Sequence, residues 1–416
     1  MTETPTVEQA LVTAEEVARR SYGKLVAFLA ARTHDVASAE DALADAFAAA
    51  LADWPRNGSP ENPEAWLMTA ARRKLIDTSR RRQTSDAAVP QLQLIAEEME
   101  AASTQNEVPD RRLGLMFACA HPAIDAEVRA PLMLQTVVGL DAKTIASSFL
   151  VSPAAMSKRL VRAKTKIQKA GIPFRIPERD ELPARLDAVL DAIYAAFAEG
   201  WTDPGGTDVA RRNLTDEAFF LARLIVELLP DEPEPLGLLA LMLYAEARRN
   251  ARRDRDGEYI PLAEQDVTLW NAEMIEEAES LLAHAGTLAV IGRYQLEAAL
   301  QSAHTTRQQT GDDNWMAVVE LYDALNTLAP SPVIAINRAL ALAEIEGPRA
   351  GLDAMPKPSC DARLNQYQPY WAARAELLAR TGARRKAAEA YEMAIGLERD
   401  PAVRSFLQQR QSALFK

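Results

Sequence analysis

Little in this chain of 416 residues points to strands, disulfides or membrane spans. Cysteine occurs twice, at Cys119 and Cys360, too far apart for a disulfide framework and in keeping with a reducing compartment. Aromatic residues make up only 6 % and alternating β-branched runs are missing, whereas Ala and Leu recur at helical spacing, so an all-α fold is expected. No apolar run is long enough to span a membrane, and no basic-then-apolar signal segment opens the chain. A soluble, cytoplasmic protein without membrane partners is expected. Chemistry-bearing clusters are scarce too. Asp254-Arg255-Asp256-Gly257 lacks the spacing and closing Glu of a calcium loop, and Cys119 with His121 has no second pair of metal ligands. His34, His284 and His304 have no nucleophile context, and Gly205-Gly206 lacks phosphate-loop spacing. The expectation is a non-enzyme with no metal and no cofactor.

Charge is unevenly spread. Asp and Glu number 59 against 47 Lys and Arg, a net charge of −12, yet two segments are strongly basic. Residues 141–168 read as a short helix carrying Ile145, Ala146 and Phe149 inward, a turn at Leu150-Val151-Ser152, and a second helix N-capped by Ser152 with Pro153 in first place. Met156, Leu160, Val161 and Ala163 of that helix are expected to face the core, and Leu150 to pack inward. Lys158, Arg159, Arg162, Lys164, Lys166 and Lys169 project outward, with no acidic residue between Pro153 and Ala170. Such a helix suits the DNA major groove, where Lys and Arg meet phosphates and base edges together.

The other basic segment, residues 72–82, holds six cations and one carboxylate, Asp77. It ends an amphipathic run whose apolar side is Trp66, Leu67, Ala70, Leu75 and Ile76. A helix from about Ala37 to Trp54 precedes it, with Asp41 and Asp45 four apart, and a loop rich in Pro, Gly, Asn and Ser separates the two. Residues 85–110 carry six acidic residues and no Lys or Arg. A Pro-bearing connector follows near 171–183, and helical patterns run from there to the end. In these, VVELYDALNTLAPSP aligns with KAAEAYEMAIGLERDP, placing Tyr322 opposite Tyr391 and Pro332 opposite Pro401, about two periods of a 34-residue repeat. The stretch around Tyr259, Ile260, Leu262, Leu269 and Trp270 either docks on a neighbouring domain or caps the helical core.

These segments, in this order, resemble a bacterial extracytoplasmic-function (ECF) sigma factor of the sigma-70 family with a tetratricopeptide-like (TPR-like) extension. The resemblance covers nearly the whole chain and divides it into region 2 (1–84), an acidic linker (85–109), a region 4 helix-turn-helix (110–172), a connector (173–183) and a helical TPR-like domain (184–416). It implies an all-α protein that binds RNA polymerase core and promoter DNA. AEDALADAF, with Asp41 and Asp45, corresponds to the helix that docks on the β′ clamp, and region 4 to the part that binds the β-flap and the −35 element. The implied −35 contacts are Ser157, Lys158, Arg159, Arg162, Lys164 and Lys166. The implied −10 contacts are Trp54, Trp66, Arg72, Arg73, Lys74, Arg80, Arg81 and Arg82, which capture unstacked bases. The linker is implied to lie in the basic polymerase cleft. Ala44 stands where many members have Gln, and Arg73 where many have Asn. The extension is expected to pack on the sigma modules and set their spacing, or to meet a regulatory protein. A stand-alone helix-turn-helix regulator with a TPR-like sensor is the second reading, and a TPR scaffold with incidental basic segments the third.

Overall fold

The computed structural model describes residues 7–33, 36–82, 110–149, 151–170, 177–201 and 209–415. Leu150, His34, Gly205, Gly206, the acidic segment 85–109 and part of the connector lie outside them. The described residues are almost wholly helical, the single bridge being Arg253 with Tyr259. Local chemistry sets the ends of these helices. Asp110, Asp141, Asn271, Ser331 and Asp400 each accept a backbone N–H as N-caps, and Pro233, Pro332, Pro348 and Pro401 open helices where the missing N–H costs nothing.

The chain divides into two compact units. The first holds the described residues to Trp201 together with Val209–Leu224. It begins with α1 (Val7–Thr33), α2 (Val36–Asn57) and α3 (Pro63–Arg82). Ala39, Ala42, Ala46 and Ala50 form a small-residue stripe on α2, and Val26, Leu29, Leu43, Leu67 and Trp54 are buried in the same group of helices. The expectation that Ile76 lies on the apolar side fails, since it is 51 % exposed.

Next come α4 (Arg111–Cys119), α5 (Ala126–Thr136), α6 (Ala142–Ser148) and α7 (Pro153–Ala170). This second group packs directly on the first. A Cβ added to Gly23 of α1 would sit 1.8 Å from the Val137 carbonyl oxygen just past α5, so only glycine permits this approach. Cys119 is buried with its sulfur 3.6 Å from Thr136 Oγ1, and burial lifts its thiol to about 12. His121 Nδ1 accepts from Ala123 N at the end of α4.

Packing does not divide the chain at Pro183. Helix α8 (Pro183–Trp201) and the start of α9 (Val209–Leu228) belong to the first unit. The inward face of α8 (Leu186, Val189, Leu190, Ile193, Phe197) has to be covered, and α4 and α5 cover it. Polar contacts fasten it: the buried Arg185 donates to the Phe117 carbonyl at 3.2 Å. Arg112 pairs with Asp110 and Glu217 and lies 4.8 Å from the centre of the Phe220 ring.

In the second unit α10 (Pro233–Ala247) is buried along nearly its whole length, between α11 (Ala272–Thr287) and α12 (Arg293–Thr310). Glu234 caps α12 by accepting from Tyr294 N and Gln295 N at 2.9 and 3.1 Å. Six further helices stack on one another: α13 (Trp315–Leu328), α14 (Pro332–Glu346), α15 (Pro348–Ala354), α16 (Gln368–Arg380), α17 (Arg384–Leu397) and α18 (Pro401–Ala413). Apolar clusters lie between neighbours along the stack, around Leu325, Tyr370 and Tyr391 in turn. Pro332 and Pro401 each stand first in their helices, α14 and α18. Trp270 is buried and Tyr259 packs edge-on against Phe406, so the 259–270 stretch caps the helical core of this unit. Asp254 accepts from Asp256 N and Glu258 N at 2.9 Å, making the acidic segment beside it a turn.

Candidate nucleic-acid interface

Helices α6 and α7 meet across residues 149–152. Asp141 caps α6 by accepting from Thr144 N at 2.7 Å, and these backbone hydrogen bonds hold its carboxyl below the usual range. Ser152 Oγ accepts from Ala155 N at 3.3 Å, as its position before Pro153 required. Met156, Leu160, Ala163 and Ile167 are buried, one stripe at three- and four-residue steps. Val161 lies off that stripe and is 62 % exposed, which corrects its assignment to the core.

The cations of α7 are not equivalent. Ser157, Lys158 and Arg162 are exposed, and neither cation makes an ion pair among the described residues. Arg159 pairs with Glu127 at 3.2 Å and Lys166 with Asp125 at 3.0 Å, both carboxylates projecting from the start of α5 into water. Such surface pairs are weak and are readily exchanged for phosphates. Lys164 differs: it reaches α2 and pairs with Glu40, a buried side chain of the neighbouring helical group. Burial pushes the Glu40 carboxyl above its usual range against the opposing pull of Lys164, and Asp41 adds to the rise.

Asp41 and Asp45 are exposed along α2, and Asp45 pairs with Lys74 of α3 at 2.9 Å. Arg72 and Arg73 are exposed, with the Arg72 guanidinium 5.1 Å from the centre of the Phe28 ring. Arg80, Arg81 and Arg82 continue α3, but their side chains lie outside the described residues. Trp66 is half-buried and meets Trp54 edge-on, with ring centres 5.6 Å apart. Trp54 is completely buried and presents no ring face on which a base could stack, so its place among the −10 contacts is withdrawn.

Sequence reading missed Glu40, Asp125 and Glu127. The last two belong to an ordinary acidic helix start. Glu40 sits inside the quoted AEDALADAF stretch, but nothing local ties it to a lysine 124 positions away.

Residues 17–85 match sigma-70 region 2, and residues 185–286 match a family of unknown function (DUF6596). The N-terminal module is therefore that of a sigma-70 family factor, a class of non-enzymatic proteins that bind RNA polymerase and take part in transcription initiation. An uncharacterized protein of Rhizobium meliloti (strain 1021) is 37 % identical over 406 residues, covering 95 % of this chain and 93 % of the relative. The chain belongs to the family of that protein. No solved structure matches it. Among the described residues no helix is long and apolar enough to cross a membrane.

Proposed function

We propose that the chain is an ECF-type sigma factor whose N-terminal unit binds polymerase core and reads two promoter elements. The observation that carries this reading is the pairing of a sigma-70 region 2 match with a downstream cationic helix, α7, presented by a capped helix–turn–helix. Asp41 and Asp45 meet cations of the β′ clamp, and residues 110–172 meet the β-flap. Lys158 and Arg162 are the leading −35 contacts, because nothing has to be displaced before they bind. Arg159, Lys164 and Lys166, with Ser157, join when DNA replaces their carboxylate partners. On α3, Trp66, Arg72, Arg73, Lys74 and Arg80 to Arg82 serve the opened −10 element.

The contact between Lys164 and Glu40 holds the two groups together in the free chain. Promoter elements some 25 base pairs apart are separated by roughly 80 Å at the rise of B-DNA, so the two groups part when both elements are engaged. The acidic segment 85–109 then runs through the polymerase cleft as the connection. The stacked helices of the second unit form a TPR-like regulatory domain.

The deciding experiment is run-off transcription from genomic fragments with purified core polymerase and this protein. Specific transcripts that require the chain support the reading. Sequence-specific duplex binding without polymerase, together with no transcript, would instead favour a stand-alone regulator.

A further inference from the structure

Four arginines crowd the end of α10, at positions 248, 249, 252 and 253, and their surroundings differ. Arg249 pairs with Glu246 at 2.6 Å and Arg253 pairs with Asp400, so these two have anionic partners. Arg248 has uncharged ones. Its Nε donates to the Tyr244 carbonyl at 3.1 Å and its Nη2 to Gln301 Oε1 at 2.6 Å, and its other guanidinium N–H groups have no partner among the described residues. Burial lowers the Arg248 pKa to about 10, and the group that counters this is Tyr259 rather than a carboxylate. Arg252 is also lowered to about 10 by burial, with the charges of Arg249, Arg253 and Arg248 adding to the effect.

Gln301 begins a face of α12 that continues through His304 and Arg307 at three-residue steps. Arg307 Nη2 donates to His304 Nδ1 at 2.8 Å, and its Nη1 donates to Asn314 Oδ1 at 3.1 Å. Its guanidinium lies 3.7 Å from the centre of the Trp315 ring, and Glu344 and Asp313 act on it only through space. An arginine can only donate, so His304 Nδ1 accepts, which places the ring proton on Nε2. Burial, then the charges of Arg307 and Arg248, hold His304 near a pKa of about 4, so the ring is neutral at physiological pH.

The result is a partly buried positive region with two forked donors and an imidazole N–H, and among the described residues no carboxylate is hydrogen-bonded to Arg248 or Arg307. Withdrawing guanidinium charge from water without an anion is unfavourable, and planar forks of this kind match oxyanions in geometry. We propose that Arg248, His304 and Arg307 form a binding site for a small oxyanion, a phosphate or a carboxylate, between the end of α10 and α12. This goes beyond the transcription reading and does not depend on it. The anion supplies the charge that the folded unit lacks, so binding stabilises the unit.

The test uses the purified full-length chain, titrated with inorganic phosphate and separately with succinate, at ionic strength held constant with chloride. The expected result is a saturable rise in melting temperature with one or both anions, and broadening of the phosphate 31P resonance where phosphate is the better ligand. Arg248→Gln and Arg307→Gln each weaken the response by about tenfold or more, the loss of one charged hydrogen bond. Arg307→Lys keeps the charge but loses the fork, and should fall between wild type and Arg307→Gln. Arg385→Gln, at an exposed ion pair with Glu389, should respond as wild type. Response to phosphate alone or to succinate alone assigns the anion class. The proposal is overturned if neither anion acts beyond chloride in the wild-type chain, or if the folded Arg307 variants respond as wild type does.

Discussion

Replacing Lys164 with Met while leaving Glu40 in place is predicted to destabilise the first unit far more than replacing Glu40 with Gln. The two side chains are 24 % and 9 % exposed, so they are not equally able to manage alone. A lysine orphaned by Glu40→Gln can turn its ammonium into water along its flexible stem. A glutamate orphaned by Lys164→Met stays buried as an uncompensated charge, at a cost of about 3 kcal/mol. Glu40→Gln removes the attraction but also the burial penalty that raises the Glu40 pKa, and the near cancellation leaves it within about 1 kcal/mol of wild type. The double variant should recover most of the loss, giving a coupling of about 2 kcal/mol in the cycle. Urea unfolding of the full chain at pH 7, followed by tryptophan fluorescence, measures all four proteins. The pH dependence follows from the raised carboxyl. Its stabilising term is complete below the ordinary glutamate pKa and is lost as pH rises through the higher folded value. The Lys164→Met penalty should therefore shrink on acidification, because a protonated Glu40 needs no partner. Equal costs for the two single variants, or an additive cycle, would refute this reasoning.

Other outcomes can be checked alongside. Arg162→Ala should cost about 1–3 kcal/mol of promoter affinity and relax base preference at one −35 position, whereas Lys166→Ala should chiefly lower the salt slope; holoenzyme binding to a randomised −35 library distinguishes them. Charge reversal at Asp41 and Asp45 together should weaken capture by core polymerase in a pull-down without changing helicity by circular dichroism. Trp54→Ala should lower stability by about 3–5 kcal/mol in thermal unfolding, through the cavity it leaves. Gly23→Ala should separate α1 from the end of α5 at a cost of about 1–3 kcal/mol, read from the same melts.

Much of the helical plan was legible locally. Ser152 before Pro153, the 156–160–163 spacing and the matched Pro332 and Pro401 are short-range signals, and helix formation obeys short-range rules. The basic character of α3 and α7 was equally plain, because charge composition needs no partner to be read. What failed locally did so for a geometric reason. Val161 and Ile76 are apolar by type, but their angular position on the helix puts them in water. Trp54, read as a surface for bases, is fully buried and meets Trp66 edge-on.

Long-range pairing was invisible to the sequence. Four examples depend on how distant helices approach: Glu40 with Lys164, Gly23 under Val137, α8 against α4 and α5, and Arg248 beside Gln301. A residue's type and its neighbours within a turn or two determine whether it can be helical, capped or charged. Whether that charge meets a carboxylate, a carbonyl or water depends on contacts tens to more than a hundred positions away in the chain, which only the packing of the folded molecule decides.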